Sequence, residues 1–319
     1  MASSKSVVIA ALIANGAIAI LKFIGFLLTG SAAMLSETYH SISDTGNQVF
    51  LLVGIRYSGK EASRSHPFGY GKAQFFYSFL VSVLLFGIAG WESAKHGYNA
   101  IMHPHPPKVS EATLLGFTFP SVWVNYAVLI GAIVFEAWAF AKAYKAMKLQ
   151  MDKHGWTSLR EAFKKTSDVT TLTALTEDTI AMGGAGIALF GVYLTRVTGN
   201  SIYDAVSAFL IGLMLMGFAI ALAWENKRLL LGESLPKDEE DPLRNIVANY
   251  AGVQKVEDFR TVYFGPNRLI VTADVAFDAD MDTEEMDDTI TAIERELQAH
   301  DDDVKKVYIE PEILDSASV

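Results

Sequence analysis

Six apolar stretches, at about 6–29, 32–56, 74–98, 122–146, 169–195 and 202–225, constrain this chain more than any other feature. Each is long enough to cross a hydrocarbon core of about 30 Å as an α-helix, which satisfies its own backbone hydrogen bonds where no water can. The first is not a cleavable signal: no basic region precedes a short apolar one, and the run is of spanning length. Thr29-Gly30-Ser31 and Thr198-Gly199-Asn200 are tight turns joining spans one to two and five to six. The connections after spans two and four, SGKEASRSHPFGYGK and MDKHGWTSLREAFKKTSD, are polar and basic.

Charge divides the chain sharply. Residues 234–319 hold 8 Lys and Arg against 22 Asp and Glu, whereas residues 1–233 hold 18 against 14. With both termini in the cytoplasm, Lys5, Arg56, Lys60, Arg64, Lys72, Lys142, Lys145, Lys148, Lys153, Arg160, Lys164, Lys165, Lys227 and Arg228 all lie inside. Lys95, Lys108 and Arg196 are left outside and Lys22 within span one, so the positive-inside rule gives N-in and C-in. There is no cysteine, which excludes disulfides and thiolate metal sites.

The acidic tail has a different grammar. Past a linker at 231–241, Pro242 is read as the start of a short amphipathic helix over 242–251, with Leu243, Ile246, Val247 and Tyr250 on one stripe. VEDFRTVYFGPNRLIVTADVAFD reads as two strands around Gly265-Pro266-Asn267, 283–299 as a second helix and VKKVYIEPE as a third strand. The expected fold is therefore an all-α six-helix transmembrane bundle over 1–230, followed by a cytoplasmic α+β domain of order αββαβ over 242–319.

Within span two, SETYHSISD places Glu37, His40 and Asp44 in a membrane-length helix. A carboxylate at that depth costs about 3 kcal/mol on insertion scales, so it faces the bundle interior and needs a partner. His40 and Asp44 are one turn apart and project from the same face. TLTALTEDTIAMGG in span five adds Glu177 and Asp178, with no Lys or Arg at that depth on either helix. One imidazole with two or three carboxylates suits a tetrahedral divalent cation, whose charge would offset the desolvation of the acids. A plain His–Asp hydrogen bond tying helices together is the competing reading. Lys22 is expected to neutralise Glu37, and Asp204 to hydrogen-bond a neighbouring helix. Glu92 and Glu136 are expected near span ends, and His96, His103 and His105 at or near the outer loop. Gly183, Gly184, Gly186 and Gly191 suggest close helix packing in span five.

GSAAMLSETYHSISDTGNQ, HPFGYGKAQ before span three and YDAVSAFLIGL in span six resemble the cation diffusion facilitator family over nearly the whole chain. The resemblance implies a six-span metal/proton antiporter with a ferredoxin-like cytoplasmic domain, working as a homodimer. It implies a transport site of His40, Asp44 and Asp178, with the usual fourth ligand at the place held here by Ala174. LTEDT is similar to the branch of mitochondrial-type zinc exporters, and Glu177 is the expected fourth ligand. Glu177 lies about 100° around the helix from Asp178, so water in the vacancy, a proton-carrying role for Glu177, or a pairing of Glu177 with Asn47 stay open. Of a loop zinc site found in some members only His66 remains, with Ser63 and Tyr70 in the other places, and a structural turn is expected there. His300 alone represents the histidines of zinc-regulated tails, and Asp301-Asp302-Asp303 reads as a solvated loop.

The expected function is proton-coupled efflux of a divalent cation by alternating access, with zinc the transported substrate, protons the counter-ion and no resident cofactor. Manganese, iron, cobalt or cadmium are the alternative cargoes. A membrane metalloenzyme or a metal sensor are the rival classes, although no HExxH-type motif is present. The expected partners are membrane lipid and a second copy, not nucleic acid. The expected address is the cell inner membrane, because span one starts within a few residues of Met1.

Overall fold

The computed structural model describes residues 4–104, 111–114 and 117–312. His105 and Lys108 lie outside the described residues. The contacts divide the chain into two compact units, one of 1–55, 76–163 and 169–226, the other of 56–75, 164–168 and 227–319.

The first unit is built on α1 (Ser4–Thr29), α2 (Ala32–Ser58), α3 (Ala73–Leu84), α4 (Trp91–Met102), α5 (Val122–His154), α6 (Leu159–Lys165), α7 (Val169–Thr198) and α8 (Ile202–Leu231). A π-helical turn, Leu85–Gly90, joins α3 to α4 into one 30-residue rod. At 1.5 Å per residue this third span is about 45 Å long. Ala73–Met102, Val122–His154, Thr171–Thr198 and Ile202–Leu231 are long and apolar enough to cross a membrane on composition alone. α1 is apolar from Val7 to Leu28 apart from Asn15 and Lys22, and α2 is diluted by the polar side chains it buries. All six expected spans are helices.

Two elements were not anticipated. A short hairpin of β1 (Glu111–Leu114) and β2 (Phe117–Pro120) follows α4, with Glu111 opposite Pro120. After α5 ends on Gly155 in the left-handed region, α6 begins with side-chain caps: the Ser158 hydroxyl accepts from the Glu161 N–H, and the Glu161 carboxylate accepts from the Thr157 N–H.

Met34, Leu85, Leu129, Met147, Leu172, Ile180, Ile211, Leu215 and Leu222 fill the middle of the bundle. Small residues set how closely its helices approach. A Cβ on Gly97 would stand 2.3 Å from the Phe209 backbone nitrogen, and one on Gly212 would stand 2.3 Å from that of Ala94. The α4–α8 pair is therefore in backbone contact. Of the four α7 glycines, Gly191 abuts Ser207 and Gly184 abuts Glu37, whereas a Cβ on Gly186 meets nothing within 4 Å.

In the second unit, β3 (Val253–Tyr263), β4 (Leu269–Phe277) and β5 (Val304–Glu312) form one sheet in that order, β3 antiparallel and β5 parallel to β4. The helices α9 (Lys237–Ala248) and α10 (Thr283–His300) complete the ferredoxin-like αββαβ fold. Leu243, Val247, Ile293 and Leu297 from the helices and Val256, Phe259, Val271 and Val275 from the strands are buried. Burial among Asp303, Glu239 and Asp301 pushes the Tyr263 hydroxyl pKa up. Asp282 caps α10 in a reciprocal box with Glu285. The first helix starts at Lys237, not at Pro242, which sits inside it. Its acidic opening Asp238-Glu239-Glu240 suits a helix N-terminus, and Lys165 holds that turn by pairing with Asp238 and, at 3.5 Å, with Glu239.

The loop between spans two and three belongs to this second unit. Its Ser63 and His66 exchange backbone hydrogen bonds, His66 stacks on Tyr70 at 4.1 Å, and the Tyr70 hydroxyl lies 3.1 Å from that of Ser63. The three positions compared above with a zinc loop thus bind one another as a turn. Phe68 packs on Phe264 at 4.9 Å, and Gly71 lies so close to the Phe264 carbonyl that a Cβ would come within 2.0 Å of it.

Candidate metal site

The site begins with how α2 is held. Its first turn sits on Asp204 of α8, whose carboxylate accepts from the Ser31 hydroxyl at 2.6 Å and from the Ala32 N–H. This interhelical cap satisfies donors that a helix start leaves orphaned. From there Glu37, His40, Ser41, Asp44 and Asn47 follow at helical spacing, every one of them buried.

Lys22 reaches this stripe from α1. Fully buried, its ammonium donates to the Glu37 carboxylate at 2.7 Å and to the Ser41 hydroxyl at 2.9 Å. The expected neutralisation of Glu37 is present. One turn deeper, His40 Nδ1 lies 3.4 Å from Asp44 Oδ1, too long for a good hydrogen bond. Neither ring nitrogen of His40 and not Asp44 Oδ1 has a hydrogen-bond partner among the described residues, although all three are buried. Buried polar atoms are nearly always paired, so this is an exception that calls for a cause.

On α7, Glu177 is buried and Asp178 half-buried. Glu177 Oε1 accepts from Asn47 Nδ2 at 2.8 Å, the pairing held open above, which ties α7 to α2 at the level of the site. Asp44 and Glu177 interact electrostatically, as do Glu177 and Asp178. Among the described residues no three His, Asp or Glu side chains stand close enough to grip one metal ion. His40–Asp44 and Glu177–Asp178 stand as two pairs sharing one field, not as a closed coordination shell.

Glu136 departs from expectation. It lies near the middle of α5, only 6% exposed, rather than at a span end reaching polar surroundings. It interacts electrostatically with Asp44, Glu177 and Asp178 and with the Lys22–Glu37 pair. The signal was available: one acid in VLIGAIVFEAWAF, with Lys142 the nearest downstream base. Glu92, by contrast, is half-buried and 3.6 Å from Lys95.

Residues 8–231 match the model of the cation efflux transmembrane domain, which is more than half of the chain. This chain belongs to the cation efflux family. Residues 235–313 match the cytoplasmic domain of cation efflux proteins. Similar proteins include the mitochondrial proton-coupled zinc antiporter SLC30A9 of Homo sapiens, 30% identical over 85% of this chain and 46% of its own length. The metal tolerance protein C4 of Arabidopsis thaliana is 26% identical over 87% and 58% respectively. The cation-efflux pump FieF of Cronobacter sakazakii is 26% identical over 84% and 79%. The chain spans about half the length of the mammalian relatives it matches. For this cation efflux protein, the mitochondrial zinc antiporters among its relatives agree with the branch resemblance drawn from LTEDT.

Proposed function

We propose that this cation efflux protein is a proton-coupled exporter of a divalent cation, zinc first, with His40, Asp44, Asp178 and Glu177 as its transport ligands. The observation that carries this reading is the buried His40–Asp44 pair, whose ring nitrogens and Oδ1 lack hydrogen-bond partners among the described residues. A dehydrated divalent cation supplies what those atoms want, and its charge offsets the acids that face them from α7. The relatives described as a zinc antiporter and a cation-efflux pump support the same reading.

The coupling follows from ligand chemistry. His40 coordinates only as the neutral imidazole and the carboxylates only as anions, so loading a metal expels protons from the site. Once the bundle has opened to the other side and released its cargo, clustered carboxylates that repel one another draw protons back. The helices that must move are joined by small-residue contacts, and the Asn47–Glu177 hydrogen bond ties α2 to α7 beside them. The bond from Asn47 takes only Oε1 of Glu177, so the other carboxylate oxygen is the one offered to the metal.

The termini are placed in the cytoplasm, or on the equivalent side of an organelle membrane, by the basic loops between spans two and three and between four and five. A second copy is the expected partner, joined through the αββαβ domain. Zinc uptake into proteoliposomes under an imposed pH gradient tests the proposal, wild type beside Asp178→Ala. Uptake that follows the gradient and disappears in the variant is the expected result. Uptake indifferent to the gradient refutes the coupling, and wild-type uptake by Asp178→Ala refutes the site.

A further inference from the structure

We infer that Asn47 and Gln48 of α2 form a further cation subsite, on the cytoplasmic side of the His40–Asp44 pair, which takes the divalent cargo through neutral amide oxygens on its way to the transport ligands. The inference rests on the transport reading above and deepens it.

The subsite starts from an imbalance. Along α2, both ring nitrogens of His40, Asp44 Oδ1, Asn47 Oδ1 and Gln48 Oε1 are buried atoms with no hydrogen-bond partner among the described residues. As one carboxylate and two carbonyls, the three oxygens accept and cannot donate. Asn47 and Gln48 stand three and four positions after Asp44, so both lie one turn along from it on the same side of the helix. From His40 to Gln48 the run is about 12 Å long. The direction of the Asn47 amide is fixed: Nδ2 donates to Glu177 Oε1 at 2.8 Å, so Oδ1 is the atom left over. Asn47 is only 1% exposed, too buried to turn that oxygen to bulk water. Buried acceptors without donors forfeit their hydration, and a row of them is satisfied by something that brings positive charge.

Position makes that charge the cargo. Among the described residues no three His, Asp or Glu side chains stand close enough to grip one ion. Asn47 is the side chain between the two pairs, one turn from Asp44 and hydrogen-bonded to Glu177. With the N-terminus inside, α2 runs from the outer face inwards, so a cation arriving from the cytoplasm meets Asn47 and Gln48 before His40. Carbonyl oxygens of Asn and Gln bind divalent cations without adding charge. Weaker than a carboxylate, they suit a place that must fill and empty in every cycle. A simple tie between helices accounts for the Asn47 nitrogen but for neither of the two amide oxygens.

The test exploits the cysteine-free sequence, which lets a single thiol be placed in the path. The full-length protein is reconstituted in proteoliposomes, zinc and cadmium are presented in turn to its cytoplasmic face, and KM and kcat are read for each. Asn47→Cys offers a soft sulfur where a hard oxygen stood, and Asn47→Ala offers no donor in a similar volume. Asn47→Ala should raise KM for both metals and leave the cadmium-to-zinc ratio of KM at its wild-type value. Asn47→Cys should lower that ratio about tenfold, because a thiolate prefers the softer ion. Gln48→Cys should move the ratio the same way beside Gln48→Ala, and these two carry the test if losing the Glu177 bond unfolds the Asn47 variants. Residues that only hold the helices together would give their alanine and cysteine variants one and the same ratio, and that result overturns the inference. An equal shift in Ile42→Cys, at an exposed position of the same helix, overturns it too. Asp178→Ala is measured beside them: if it abolishes transport while the ratios stay put, only the subsite falls. If Asp178→Ala transports like wild type, the transport site itself has been misplaced, and the subsite falls with it.

Discussion

Replacing Gly97 by alanine tests whether the third and sixth spans are held by backbone contact. The added Cβ would lie 2.3 Å from Phe209 N, 2.7 Å from Phe209 Cα and 2.9 Å from Ala208 C. Ordinary contact starts near 3.4 Å, so α4 and α8 would have to separate by about 1 Å. No rotamer change relieves this, because the obstructing atoms are backbone. Overpacking of this kind costs about 1–3 kcal/mol. Against it stands the helix-propensity gain of alanine over glycine, about 1 kcal/mol at most. Between helices in lipid, close packing is the principal attraction, and separation forfeits it along the whole interface. A net loss of about 1–2 kcal/mol follows. Gly186→Ala is the internal control, since a Cβ there meets nothing within 4 Å and only the propensity term remains. Reversible unfolding in mixed micelles of rising denaturing-detergent content reads both variants on one scale. Gly97→Ala should unfold at lower detergent than wild type, and Gly186→Ala at equal or higher. Coincident curves for the two variants would refute the reasoning.

Lys22→Met strands Glu37 in the bundle without its cation, at a cost of about 3–5 kcal/mol. The double variant Lys22→Met, Glu37→Gln should recover most of that loss, and a double-mutant cycle in the same unfolding assay measures the coupling directly. In the αββαβ domain, Asp282→Ala removes the side chain that caps α10, worth about 1 kcal/mol. Faster amide hydrogen exchange confined to the first turn of α10 is the expected signature.

Much of this was legible because the membrane leaves so few options. An apolar run of spanning length has to be a helix, so all six spans could be placed from composition and length. The αββαβ order of the tail likewise followed from stripes such as Ile293 and Leu297 and from the turn at Gly265-Pro266-Asn267. What escaped depended on local electrostatics or on packing between distant segments. Pro242 reads as a start signal, yet α9 begins at Lys237, where three acids meet the helix N-terminus and Lys165 arrives from elsewhere in the chain. Of the clustered α7 glycines, Gly184 and Gly191 are tightly packed as expected, whereas the contacts at Gly97 and Gly212, isolated in sequence on two helices, escaped notice. In the candidate site, the Lys22–Glu37 pair and the Asn47–Glu177 bond were anticipated by residue chemistry alone. Glu136 was not, although it lies near the middle of the expected span 122–146 as well as of α5.

The division of the chain carries a consequence for how it can be taken apart. The path passes between the two units five times, after residues 55, 75, 163, 168 and 226. The loop that leaves α2 and returns as α3 rests its Phe68 on Phe264 and Tyr308, and Gly71 abuts the Phe264 carbonyl. Severing the polypeptide after the sixth span therefore does not subtract a module. It removes the residues against which Phe68 and Gly71, far earlier in the chain, are packed. A tail-less protein would carry a half-built second unit, with the segment 56–75 stripped of its packing partners.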